Sequence, residues 1–117
     1  MPARILVLDD EPAVRALVAR ALGEDGHEVV TVADGFLGLS AAAAGDFDLV
    51  VTNNCMRGIS GAEVVERLHR VFPTLPVLHL DDLYNPSADG FPDGVRTLYK
   101  PFSIDALQDA VRKLLAG

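Results

Sequence analysis

Short apolar runs in this chain stop again and again on polar residues, and that pattern restricts the fold more than any other feature. Arg4-Ile5-Leu6-Val7-Leu8 ends on Asp9-Asp10-Glu11, and Leu49-Val50-Val51 leads through Thr52 to Asn53. Pro76 to Leu80 runs into Asp81-Asp82, and Val95 to Tyr99 closes on Lys100-Pro101. Runs this short and this rich in β-branched residues read as buried parallel strands rather than helices. Another, Glu28 to Val32, follows the Gly26-His27 turn.

Helical spacing fills the intervals. Behind Pro12, a residue tolerated in a helix's first turn, Val14, Leu17, Val18 and Ala21 form a stripe that predicts a helix to about Gly23. Asp34 can cap a second helix with Phe36, Leu39 and Ala43 on one face and Gly45 at its end. Ser60 and Glu63 have capping-box spacing and open a third, carrying Val64, Val65, Leu68, Val71 and Phe72. Ser103 caps a last helix with Ile104, Leu107, Val111, Leu114 and Leu115. Between Leu83 and Gly94 the stripe fails, because Pro86, Gly90 and Pro92 interrupt it. At most one short helical turn is expected there.

Strand and helix alternate, which predicts an α/β domain with a parallel sheet covered on both faces. Parallel strands share one carboxyl edge, where open α/β sheets place ligands and chemistry. Asp9, Asp10, Asn53, Asp81 and Lys100 should therefore converge there. Two adjacent carboxylates with a third oxygen suit a hard cation such as Mg2+. The plainer reading is that Asp9 and Asp10 favour the positive end of the following helix.

The chain's 117 residues form one expected domain, 1–117, and its net charge of −7 argues against nucleic-acid binding. Cys55 is the single cysteine, so no intrachain disulfide can form, and a reducing cytoplasmic setting is expected. No stretch reads as a signal peptide or a membrane span. His27 and His69 are expected at the surface, and His79 is expected to be packed between Leu78 and Leu80.

The segment Asp48-Leu49-Val50-Val51-Thr52-Asn53-Asn54-Cys55-Met56-Arg57-Gly58-Ile59-Ser60-Gly61, together with Lys100-Pro101-Phe102, resembles response regulator receiver domains of two-component signalling. The likeness covers essentially the whole chain, and 76–100 most resembles receivers of hybrid sensor kinases. It implies a flavodoxin-like (βα)5 three-layer sandwich with sheet order 2-1-3-4-5 and a short or absent fourth helix. It also implies that Asp9, Asp10 and the backbone carbonyl of Cys55 hold Mg2+, that Lys100 contacts the phosphoryl group, and that Pro101 follows a cis bond.

Four positions depart from the family's pattern. Asn53 stands where the aspartate nucleophile belongs, and Arg57 replaces a proline. Asp81 takes the Ser/Thr position, and Thr97 replaces the aromatic that swings on activation. An amide is no carboxylate nucleophile, so Asn53 cannot form the acyl phosphate. A carboxylate at 81 repels a phosphoryl oxygen where a hydroxyl would donate to it. A fixed ion pair from Lys100 to Asp81 or Asp9 is expected instead.

The reading is a pseudo-receiver: a non-enzymatic, phosphorylation-independent protein-interaction module with a weakened Mg2+ site. Its expected partner is a histidine kinase or another signalling protein, met through the first helix, the last helix or 83–94, with a homodimer left open. Leu83, Tyr84 and Phe91 either cover the sheet or form an altered partner surface. The alternative is a phosphorylatable receiver whose acceptor aspartate was replaced by Asn53. A flavin-phosphate binder fits poorly, since Asp9-Asp10-Glu11 repels phosphate. An aspartyl phosphatase would need Asp-X-Asp spacing, which the first strand lacks.

Overall fold

The computed structural model describes residues 2–54, 58–84, 91–92 and 94–117. The elements are β1 (Arg4–Leu8), α1 (Pro12–Glu24), β2 (Glu28–Val32), α2 (Gly35–Ala44), β3 (Leu49–Asn53), α3 (Gly61–Val71), β4 (Val77–Asp82), β5 (Arg96–Lys100) and α4 (Ile104–Ala116). All strand pairs are parallel and the order is β2-β1-β3-β4-β5, a flavodoxin-like sheet. Among the described residues no helix lies between β4 and β5. Most of the interval on which a short turn was expected, 85–90 and 93, is outside them.

Alternation along the strands splits the core into two layers. Ile5, Val7, Leu49, Val51, Leu78 and Leu80 pack against Val18, Ala21 and Leu22 of α1 and Leu107, Ala110 and Val111 of α4. Leu6, Leu8, Val50 and Val77 face the other way, onto Ala42 of α2 and Val64, Val65 and Leu68 of α3. Each such Val, Leu or Ile side chain contributes roughly 1.5–3 kcal/mol when removed from water. A one-residue slip would exchange the two layers, so the register is strongly specified.

Three strands run further than their apolar runs. β3 extends to Asn53, β4 to Asp82 and β5 to Lys100. Ladder hydrogen bonds use the backbone alone, so polar side chains at the carboxyl ends do not stop them. The sheet itself therefore carries Asn53, Asp81 and Lys100, while Asp9 and Asp10 lie in the loop between β1 and α1.

The helices bury different faces from those expected in places. On α2 the buried residues are Gly35, Gly38 and Ala42, while Phe36 is 51% exposed and Ala43 lies in solvent. A Cβ at Gly38 would overlap the Leu8 side chain, so this helix sits close on its smallest residues and turns its largest outward. Leu17 of α1, Val71 of α3 and Ile104 of α4 are likewise exposed. The caps agree better. Asp34, Ser60 and Ser103 accept from the backbone N–H of Leu37, Glu63 and Ala106. The reciprocal half of the capping box is replaced, because the Glu63 carboxylate takes Arg67 at 2.7 Å. No helix among the described residues is long and apolar enough to cross a membrane.

Candidate functional site

The carboxyl edge of the sheet gathers the residues expected there. Asp9 follows β1, Asn53 ends β3, Asp81 lies near the end of β4 and Lys100 ends β5. Asp9, Asn53 and Asp81 are 1%, 7% and 5% exposed, unusual for polar groups and costly unless they are partnered.

Asn53 is the hub. Its Nδ2 donates to Asp9 Oδ1 at 3.1 Å and to Asp10 Oδ1 at 3.2 Å. Asp9 Oδ1 also accepts from the Glu11 backbone N–H at 2.9 Å, so the local role at the start of α1 and the convergent role are both real. Arg15 anchors the same turn by donating from Nη1 to the Asp9 carbonyl at 2.9 Å. Two oxygens of this cluster, Asp9 Oδ2 and Asn53 Oδ1, are buried and accept no hydrogen bond among the described residues. Burial raises the Asp9 pKa above its ordinary 3.8, and the Glu11 N–H and then Lys100 pull the other way. Gly61 closes the cluster from behind: a Cβ there would collide with the Asn53 backbone carbonyl.

Asp81 is held beside it. Its Oδ1 accepts from Asn54 Nδ2 at 3.1 Å and from the Asp82 backbone N–H at 2.8 Å. Asn54, given no role by the sequence reading, thus joins the cluster. Nothing in an uncharged residue one place past the acceptor position announces that contact.

The contact ion pair expected of Lys100 is a correction. Among the described residues Lys100 makes no ion pair within 4.0 Å, although its charge still acts on Asp9 and His79. Asp9 and Asp10 accept instead from the Asn53 amide, and Asp81 accepts from the Asn54 amide. The Lys100–Pro101 bond is cis, as the resemblance implied.

On β4, His79 is 3% exposed and packed, as expected. Its Nδ1 lies 3.3 Å from Thr97 Oγ1, and Phe91 stacks on the ring at 3.8 Å between centroids. Thr97 therefore answers to His79 rather than carrying a moving ring. Of the three apolar residues singled out in 83–94, Phe91 packs against the core, while Leu83 and Tyr84 are 54% and 84% exposed. His27 corrects another expectation: its side chain is only 5% exposed, and its Nδ1 accepts from the Ala3 N–H at 3.0 Å. The expectations for the Cys55 carbonyl and for Arg57 lie outside the described residues.

As donors for a divalent cation, the carboxylates of Asp9 and Asp10 and the amide oxygen of Asn53 are of the right kind. The two buried, unpartnered oxygens suit a positive ligand. No group of three or more His, Cys, Asp or Glu placed to hold a metal occurs among the described residues. When bound, Mg2+ would supply positive charge to neutralise the acid pair. Asp9 and Asp10 would hold it.

This sheet order, with an acidic pair after β1, a polar residue ending β3 and a lysine before a cis proline, defines a receiver. The chain belongs to the response regulator receiver domain family, whose profile matches residues 5–112. Among curated proteins it is 44% identical over 118 residues to the transcriptional regulatory protein TcrA of Mycobacterium tuberculosis, covering 95% of this chain and 45% of that protein. The response regulator MprA of Mycobacterium sp. is 36% identical, over 98% of this chain and 51% of the relative. The chain thus spans about half the length of such relatives. Among solved structures, the chemotaxis response regulator CheY4 of Vibrio cholerae superposes with a TM-score of 0.86 at 26% identity, covering 97% of this chain and 99% of that one. The receiver domain of the hybrid histidine kinase CckA superposes at 0.82 with 34% identity, covering 96% and 98%.

Proposed function

We propose that this chain is a pseudo-receiver, a phosphorylation-independent protein-interaction module of two-component signalling, with 1–117 acting as one non-enzymatic unit. The observation that carries the reading is the Asn53 amide nitrogen, which donates to both Asp9 and Asp10 from the place where an attacking carboxylate would stand. An amide forms no acyl phosphate at this site. Asp81, held by Asn54, adds negative charge where an incoming phosphoryl oxygen would need a donor. The partner is a histidine kinase or another signalling protein in a cytoplasmic setting, and a homodimer is compatible with the family.

The relatives named as transcriptional regulators are about twice this chain's length, and the chain's charge of −7 opposes direct DNA contact by the receiver itself. The test is incubation of the purified protein with Mg2+ and a small acyl-phosphate donor, read by intact mass. No phosphoryl adduct is expected on the wild type; a stable adduct would overturn the proposal. A second reading, a phosphorylatable receiver whose acceptor was replaced by Asn53, draws on the retained Asp9, Asp10 and Lys100. Efficient phosphate uptake and a conformational response by Asn53→Asp in the same assay would favour it.

A further inference from the structure

A hydrogen-bond donor and a divalent cation make the same demand on a carboxylate: each needs its lone pairs, and each presents positive charge. In this pocket the donor is covalently part of the chain. Asn53 Nδ2 reaches Asp9 Oδ1 and Asp10 Oδ1 at once, at 3.1 and 3.2 Å, and so bridges two acids that would otherwise repel each other. The opposite orientation of the amide would set its oxygen against both carboxylates, so the bridge fixes which way the group points. The result leaves Asn53 Oδ1 buried without a hydrogen-bond partner among the described residues, and Asp9 Oδ2 likewise. A buried acceptor without a donor is costly, and two in one cluster suit a positively charged ligand.

We propose that the Asn53 amide is a built-in substitute for a divalent cation, and that a hard divalent cation binds this chain only in competition with the Nδ2–H donors. This rests on the functional reading in taking Asn53 as the working occupant of the acceptor position. For Asp9 and Asp10 to accept a cation, the amide must release both acids. A half-turn about its last side-chain bond then brings the unpartnered Oδ1 to the side the nitrogen has left. The exchange is unequal. Asn53 gives up two charge-assisted hydrogen bonds and offers one neutral oxygen, for which water is a ready replacement in the shell of a cation such as Mg2+. Removing the amide should therefore help the cation rather than harm it. A simple ligand role for Asn53 would give the opposite sign.

The test uses Mg2+ alone, without any phosphodonor, on the full chain and on Asn53→Ala. Binding is followed by calorimetry and by the side-chain NH2 resonances of Asn53 in the wild type. The alanine variant is expected to bind Mg2+ about tenfold more tightly, the equivalent of one lost net interaction with a charged group. The wild-type Asn53 NH2 pair should shift strongly as Mg2+ saturates the protein. Binding by the variant with none by the wild type would also support the competition. Weaker or equal binding by Asn53→Ala, absence of binding by either protein, or NH2 resonances unmoved while the Asp9 and Asp10 backbone signals shift would overturn it. If the variant does not fold, the wild-type NH2 resonances decide alone. Neither outcome bears on whether Asn53 accepts phosphate, so this proposal and the functional reading fail separately.

Discussion

The two edges of the sheet treat their charges in opposite ways. At the amino-terminal edge, Asp25 at the end of α1 is gripped through both oxygens by Arg112 of α4, with the Arg112 Nε contact at 2.9 Å, and Arg4 meets Glu28 at 3.2 Å. Arg112 is largely in water and Arg4 partly so, and their carboxylates have counter-charges. At the carboxyl edge, Asp9, Asn53, His79 and Asp81 are nearly sealed from solvent, and Asp9 Oδ2, Asn53 Oδ1 and His79 Nε2 have no hydrogen-bond partner among the described residues. The amino-terminal edge has one such atom, His27 Nε2, and is otherwise made of ion pairs. The other gathers several buried polar groups that a merely stable domain would replace with apolar ones, which is the physical mark of a candidate site.

That contrast is most exposed at Asp9. Its pKa is raised in the fold, so the stability linked to its protonation is present below 3.8 and lost as pH rises through the folded value. At neutral pH the buried carboxylate is therefore a burden. Asp9→Asn keeps an oxygen for the Glu11 N–H and Asn53, and is expected to stabilise the domain by about 1–2 kcal/mol in urea unfolding at pH 7. A loss of stability would mean that the acid pair is better compensated than its geometry implies.

The His79 cluster gives a smaller effect. Burial lowers its pKa below 6.5; the nearby Asp81 opposes that shift and Lys100 adds to it. The folded state thus keeps the ring neutral while the unfolded chain takes a proton. Stability is full above 6.5 and declines as pH falls through the folded value. His79→Leu should flatten the part of the Tm profile below pH 6.5 that this group controls. An unchanged slope would assign that loss to other groups.

The smallest change is expected at the opposite edge. Arg112→Ala removes an exposed partner of Asp25, whose pKa is held low mainly by the hydrogen bond from Arg112. The loss should be slight, shrink further in high salt, and vanish as pH falls below 3.8 and Asp25 is neutralised. A loss as large as the gain at Asp9 would erase the distinction between the edges.

Much of this was legible in the linear chain. Short apolar runs alternating with helical stripes point to a parallel α/β sheet, because helices between successive strands cover both faces of strands that are apolar on both sides. The same runs end on Asp9, Asn53, Asp81 and Lys100, so their convergence at one edge followed from strand direction, whereas the part taken by Asn54 did not. Helix faces were read less well where size mattered more than hydrophobicity. Gly38 lies against Leu8 while Phe36 faces solvent, and a periodicity count weights them the other way.

What only the tertiary structure decided was who partners whom. Sequence suggested that Lys100 would neutralise the acids, since opposite charges are the obvious pairing. In the fold, two neutral amides reach them first: Asn53 bridges Asp9 and Asp10, and Asn54 holds Asp81. Hydrogen bonds depend on ångström distances and on the direction of donor groups, neither of which is encoded in residue type or spacing. Strand order and burial follow from patterns averaged over many residues; a partner is chosen by the geometry of one.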